Sequence, residues 1–237
     1  YEKSNRCGAL CLALDQGQIA LINDNKGKLF EFKTGKYDKI QIDDTSLYRT
    51  VKSGKTVPIY PNDDIYDTGA IGAVFTTDVL SFYFHGATGI GYGPSGILDI
   101  EGQRTSAKAA IASFAELVKL AVSTELDIDP EELRVGRQNH KVRTGQIEVT
   151  TEQIFMADSL ENGAGYSRWA SKPENMLKAL QNFCSELEWE NSKHSNDCDT
   201  SCPDCLRSYS NRFIHGMLDW KLALDLADFA MGNELNL

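Results

Sequence analysis

The chain has 237 residues, with 34 acidic against 24 basic side chains for a net charge of −10, and is 41% hydrophobic and 24% charged. Such a chain is long enough for a hydrophobic core without cross-links, and its acidity disfavours charge-driven phosphate binding over the whole surface. No apolar run reaches the roughly 18–20 residues of a membrane span, and Tyr1 to Arg6 lack the apolar stretch of a secretory signal. A cytoplasmic protein with no membrane partner is therefore expected. The missing initiator Met leads to the expectation that the chain is either processed or a piece cut from a longer polypeptide.

In chain order, Gln18 to Asn23 and Lys28 to Phe32 are short apolar-rich runs around Asp24-Asn25-Lys26-Gly27, a pattern that predicts a hairpin. Residues 34 to 68 are polar and punctuated by Gly35, Gly54, Pro58 and Pro61, which predicts a surface excursion with a short strand or two. Val74 to Phe84 is rich in β-branched and aromatic residues and predicts a strand. His85 to Gly102 is glycine-rich, but it lacks the Lys-Ser/Thr ending of a phosphate loop and reads as a flexible loop.

Thr105 or Ser106 can cap a helix in which Ile111, Phe114, Val118 and Ala121 recur at helical spacing through to about Leu126. Asp129-Pro130 predicts a turn. Strands are expected at Glu132 to Val135 and Gln146 to Ala157, and helices at about Trp169 to Leu187 and Leu218 to Met231. Strands followed by interspersed helices, without regular alternation, predict an α+β fold: a mostly antiparallel sheet with packed helices and a C-terminal zinc-binding loop.

Six cysteines occur, and three of them, Cys198, Cys202 and Cys205, fall within eight residues. Thiolates at such spacing supply most of a tetrahedral zinc site, and a closed site of four ligands is structural. Cys184 is the expected fourth ligand, with His194 and His215 as alternatives. Cys7 and Cys11 read as buried thiols, or as part of a second metal site. Asn211 and His215 can hydrogen-bond across the metal loop and fix its shape.

Asp158 ends a predicted strand, and Gly163 and Gly165 lie in the turn before a predicted helix. Such a turn can offer unpaired N–H groups to an anion, although Asp158 can equally cap the turn. Arg134, Arg137, His140, Lys141 and Arg143 form the densest basic run. It reads as a solvated strand surface or as a contact for nucleic acid or an acidic partner, with Arg137, Lys141 and Arg143 as the candidates. No catalytic constellation stands out.

Asp158 with Gly163-Ala164-Gly165-Tyr166, then Cys198-x3-Cys202-x2-Cys205-Leu206, then Ser208-Tyr209-x-Asn211-x3-His215-x2-Leu218-Asp219, resembles the MrfA-type zinc-binding domain. That domain closes superfamily 2 DNA helicases such as MrfA, and occurs in the DrmB partner of the DISARM phage-defence helicase and in Druantia-type defence helicases. The strand with Thr77-Asp78-Val79-Leu80 and the helix from Ser113 to Val122 fall where the family has similar elements. Two departures stand out: the family places a fourth Cys where this chain has Asn196, and often an Arg where it has Trp220.

The resemblance covers roughly residues 70 to 230 and implies residues 69–237 as the zinc-binding domain; residues 1–68 match nothing in the family and are expected to be a β-rich segment of the same domain. It implies structural zinc, a helicase core as partner (the same polypeptide or a separate subunit), and nucleic acid reached through that complex. The chain has neither a Walker A lysine motif nor Asp-Glu-x-His, so it is expected to hydrolyse no ATP alone. Two other readings remain: an enzyme acting on a phosphate-bearing substrate through Asp158 and the Gly163/Gly165 turn, and a zinc adaptor that binds only protein.

Overall fold

The structure, a computed structural model, describes residues 5–23, 30–32, 37–42, 47–51, 56–58, 67–84, 104–144, 147–186 and 197–233. Its strands are β1 (Asn5–Cys7), β2 (Leu10–Asn23), β3 (Phe30–Phe32), β4 (Tyr37–Ile42), β5 (Leu47–Val51), β6 (Thr56–Pro58), β7 (Asp67–Gly69) and β8 (Ile71–Phe84). Helix α1 (Arg104–Leu126) follows, then β9 (Leu133–Thr144), β10 (Ile147–Asp158), α2 (Tyr166–Ala170), α3 (Pro173–Glu186) and α4 (Trp220–Ala230). The chain divides into two compact units, residues 1–18 with 76–237, and residues 19–75.

The smaller unit holds two small antiparallel sheets, β3–β7 and β4–β5–β6. The hairpin expected across residues 18–32 does not match this pairing. Phe30–Phe32 pairs with Asp67–Gly69, and the turn at 24–27 lies outside the described residues. A short run such as Phe-Glu-Phe takes whichever edge the chain brings to it, and the turn signal alone does not choose. The glycine-rich 85–102 stretch also lies outside the described residues.

In the larger unit the sheet order is β1-β2-β8-β10-β9, with β1–β2, β8–β10 and β9–β10 antiparallel. The α+β architecture is as the sequence predicts. Cys7 pairs with Leu10 and Cys11 with Arg6, so both thiols are strand residues flanking a tight turn. Both are buried, and burial pushes the Cys7 thiol up to about 11. The turn needs glycine at position 8: its φ is +56°, and a Cβ there would meet the Ala230 carbonyl oxygen at 2.0 Å.

Alternation along the strands builds the core. Leu80 and Phe82 of β8 face the same side as their partners Met156 and Ile154 of β10, and all four are buried. Phe114, Leu117, Val118, Ala121 and Val122 of α1 fill the space over that face, with Met176, Ala179 and Leu180 of α3 and Leu226, Ala227 and Ala230 of α4. Phe82 and Phe114 meet edge to face with centroids 6.2 Å apart. Gly136 lies opposite Phe155, whose ring covers it.

Helix α1 is buried all round from Ile111 to Lys119, so it carries a second, polar stripe beside its apolar one. Ser113, Glu116, Lys119 and Ser123 recur at steps of three and four and are all buried. The helix ends at Leu126 with Asp127 at φ +53°, and Asp129 then caps a 3₁₀ turn, Pro130–Glu132, by accepting the Glu131 N–H at 2.8 Å. The single helix expected over 169–187 is two, α2 and α3, broken at Pro173, which donates no backbone hydrogen bond and disfavours helix at the residue before it. Asp219 caps α4, accepting the N–H groups of Lys221 at 2.9 Å and Leu222 at 3.4 Å.

Candidate metal centre

The sulfurs of Cys198, Cys202 and Cys205 all lie within 4.8 Å of one another, and those of Cys202 and Cys205 are 3.8 Å apart. Thiolates held about 2.3 Å from one tetrahedral zinc ion lie about 3.8 Å from each other, so the spacing fits zinc. The backbone closes around the trio. The Cys202 N–H points at the Cys205 sulfur at 3.1 Å, and the Cys202 carbonyl accepts the N–H groups of Cys205 at 3.2 Å and Arg207 at 3.0 Å. Burial, and then the neighbouring sulfurs, push the Cys198 thiol up to about 12. Burial raises the Cys205 thiol as well, so these two favour the protonated form until a cation draws them into the thiolate.

Trp220 braces the loop from below. Its indole N–H donates to the Cys198 carbonyl at 2.9 Å, and its backbone N–H donates to the Thr200 carbonyl at 2.8 Å. The departure at position 220 thus has a local use, because a buried indole needs an acceptor and the loop needs a donor. The sequence marks Trp220 as a departure but gives it no role at the metal loop.

Past the last cysteine, Asn211 and His215 fix the chain, as their spacing predicts. Asn211 is 7% exposed; its amide donates to the Leu206 carbonyl at 2.7 Å, and its carbonyl oxygen accepts the Ser208 N–H at 2.8 Å. His215 Nε2 donates to Ser208 O at 3.0 Å and to Asn211 Oδ1 at 2.9 Å, which engages that nitrogen in bracing the turn. The polar stripe of α1 lies beneath. Ser113 Oγ accepts the Asp219 N–H at 2.8 Å and donates to Ala109 O at 2.7 Å. Burial raises the Glu116 carboxyl, against a lowering hydrogen bond from Asn211 and the charge of Lys119. Lys119 pairs with Glu131 at 3.2 Å, and Glu131 accepts from Ser210 at 2.7 Å.

Residues 114–206 match the family model described as the MrfA Zn-binding domain. Over that segment the chain is similar to that family. Zinc is the cofactor that the family match and the cysteines support, and among the described residues the trio is the cluster that fits it. A stretch of 124 residues, 52% of the chain, is 33% identical to the Druantia protein DruE of Escherichia coli (strain UMEA 4076-1), of whose length it spans 6%. The DUF1998 helicase MrfA bound to DNA superposes with a TM-score of 0.45 at 12% identity, over 92% of this chain and 25% of that one. Among the described residues no helix is long and apolar enough to cross a membrane.

Cys184 stands outside the sulfur cluster. It sits on the inner side of α3, where burial and then the charge of Asp228 push its thiol up to about 12. His194 falls in 187–196, outside the described residues, and His215 is engaged as above.

The anion expected at the Gly163/Gly165 turn turns out to be the chain's own Asp158. Its carboxylate is fully buried and accepts four backbone N–H groups: Ala164 at 2.8 Å, Gly165 at 2.7 Å, Tyr166 at 3.1 Å and Ser167 at 2.8 Å. A side chain already tethered there outcompetes a diffusing anion. Gly163 at φ +79° is pressed against Asp78, and Asp78 takes both arms of Arg168, at 3.2 and 3.0 Å.

The basic candidates lie along β9. Arg137 donates to the Lys108 carbonyl at 3.3 Å, and the backbones of Lys141 and Arg143 pair with Thr150 and Glu148.

Proposed function

We propose that the chain is a non-catalytic, zinc-stabilised module of a DNA helicase or of a helicase-associated phage-defence protein in the cytoplasm. It packs on the helicase core, in the same polypeptide or as a separate subunit, and helps to guide nucleic acid. The observation that supports this reading is the family match, which runs from within α1 to just past the last cysteine and so includes the trio whose sulfur spacing suits zinc. The likeness to DruE supports the defence setting. The rival enzyme reading would have to use a carboxylate that is fully buried and saturated by backbone donors.

The test is co-purification of the chain with a RecA-like ATPase core carried upstream or made as a separate subunit. Co-elution with the core is expected from the zinc-loaded chain and is lost with Cys202→Ser. Failure to associate, with zinc fully retained, would leave the protein adaptor. Phosphate-ester hydrolysis by the isolated chain, abolished by Asp158→Asn in zinc-replete protein, would establish the enzyme instead.

A further inference from the structure

Beyond the metal loop the chain holds out two large rings. Tyr209 is 82% exposed and Phe213 75% exposed, the two most exposed large apolar side chains among the described residues. Between them lies Arg212, whose guanidinium carbon is 4.3 Å from the centre of each ring. Arg212 Nη1 donates to the Tyr209 carbonyl at 3.1 Å. Among the described residues no carboxylate pairs with this guanidinium.

Rings on a loose loop fold down to shed contact with water. Here the backbone denies them that. Asn211 and His215 tie Leu206, Ser208 and Asn211 together, and the segment starts from Cys205 of the metal cluster. The result is a rigid aromatic–cation–aromatic group at the surface. An acidic chain gains little from general attraction to phosphate, so a contact with nucleic acid has to draw on base stacking with one well-placed cation.

We propose that Tyr209, Arg212 and Phe213 form a stacking platform for the unpaired bases of a single-stranded nucleic acid, with Arg212 also meeting a backbone phosphate. The proposal rests on the helicase-module reading for the source of the single strand. Duplex is a poor ligand for such a group, because its base faces are already stacked.

The experiment is fluorescence anisotropy of a labelled oligodeoxythymidylate of roughly 12 nucleotides titrated with the zinc-loaded chain. Tyr209→Ala and Phe213→Ala should each weaken binding about tenfold. Phe213→Tyr should retain it, whereas Phe213→Leu, which stays apolar but cannot stack, should not. Zinc content and melting temperature should stay at the unaltered level in all four, and the salt dependence should be shallow, with a log–log slope of about −0.7 for one phosphate contact.

No binding by the unaltered chain, or unchanged affinity in the Tyr209→Ala/Phe213→Ala double variant, overturns the platform. If binding instead falls only with Arg137→Ala, Lys141→Ala and Arg143→Ala, nucleic-acid guidance stands and this site does not. If the platform variants keep oligonucleotide binding but lose association with the helicase core, the surface is a protein interface and the proposal fails. Oligonucleotide binding that depends on the rings in a chain that joins no helicase core would separate the platform from the module reading.

Discussion

Single side chains decide both the metal loop and the turn after β10. Cys202 contributes a sulfur, a backbone N–H and a carbonyl to the trio, so Cys202→Ser should lower bound zinc from about one ion per chain to near zero by elemental analysis. Cys184→Ser should leave zinc in place, since that sulfur stands apart from the cluster; zinc lost from this variant would make Cys184 the fourth ligand. At Asp158 the prediction concerns stability. Asparagine keeps one carboxamide oxygen but points an NH₂ group at an N–H donor. Asp158→Asn should therefore cost about 2–4 kcal/mol in urea unfolding, as for other buried charged groups separated from their partners. A loss under about 1 kcal/mol would mean that the four N–H groups find another acceptor.

Helix α1 shows what an amphipathic pattern hides. Its apolar positions at Ile111, Phe114, Val118 and Ala121 predict the helix and its sheet-facing side. The polar residues between them look like a solvated face. They are buried because the segment after the trio lies over them, with Asp219 bonded to Ser113 and Asn211 beside Glu116. A stripe of Ser, Glu, Lys and Ser is equally compatible with water and with a polar lid, and periodicity alone does not separate the two. The same holds at Asp158, where a carboxylate before a glycine turn can serve a ligand or the chain itself, and only the tertiary path shows which. By contrast, β8, β10 and the cysteine trio are legible because strand composition and ligand spacing are local properties.

Glu116 gives the stripe a pH signature. Its folded carboxyl is raised above the usual value near 4.5, chiefly by burial. The folded state therefore favours the protonated form, and this group's contribution is most favourable below the unfolded value. Stability is lost as pH rises from there through the raised folded value. Glu116→Gln should flatten that part of the stability–pH curve; an unchanged curve would show that Glu116 does not titrate there. Lys119, Glu131 and His215, the other charged or titratable groups acting on it, remain present in the variant.

At the scale of the whole molecule, Cys198 and Cys205 join the larger unit's core, while the sheet and the helices supply most of it. Chelation should therefore lower the melting temperature without abolishing folding, because the core does not depend on the trio alone. Limited trypsin digestion should show cleavage after Arg207 and Arg212 accelerating on chelation, with Lys119, 5% exposed, still protected. Equal acceleration at all three would mean that zinc holds the entire unit together.

Trp220 makes the metal state visible. Its indole is 3% exposed and hydrogen-bonded to the carbonyl of a cysteine in the trio. Opening of the metal loop strips that acceptor away and admits water to the ring, so the emission should shift to the red as zinc leaves. The chain thus carries its own optical gauge of occupancy, usable in a stopped-flow instrument or in a mixture where no dye can be attached. A Trp220→Phe variant gives the blank against which Trp169 and Trp189 are subtracted.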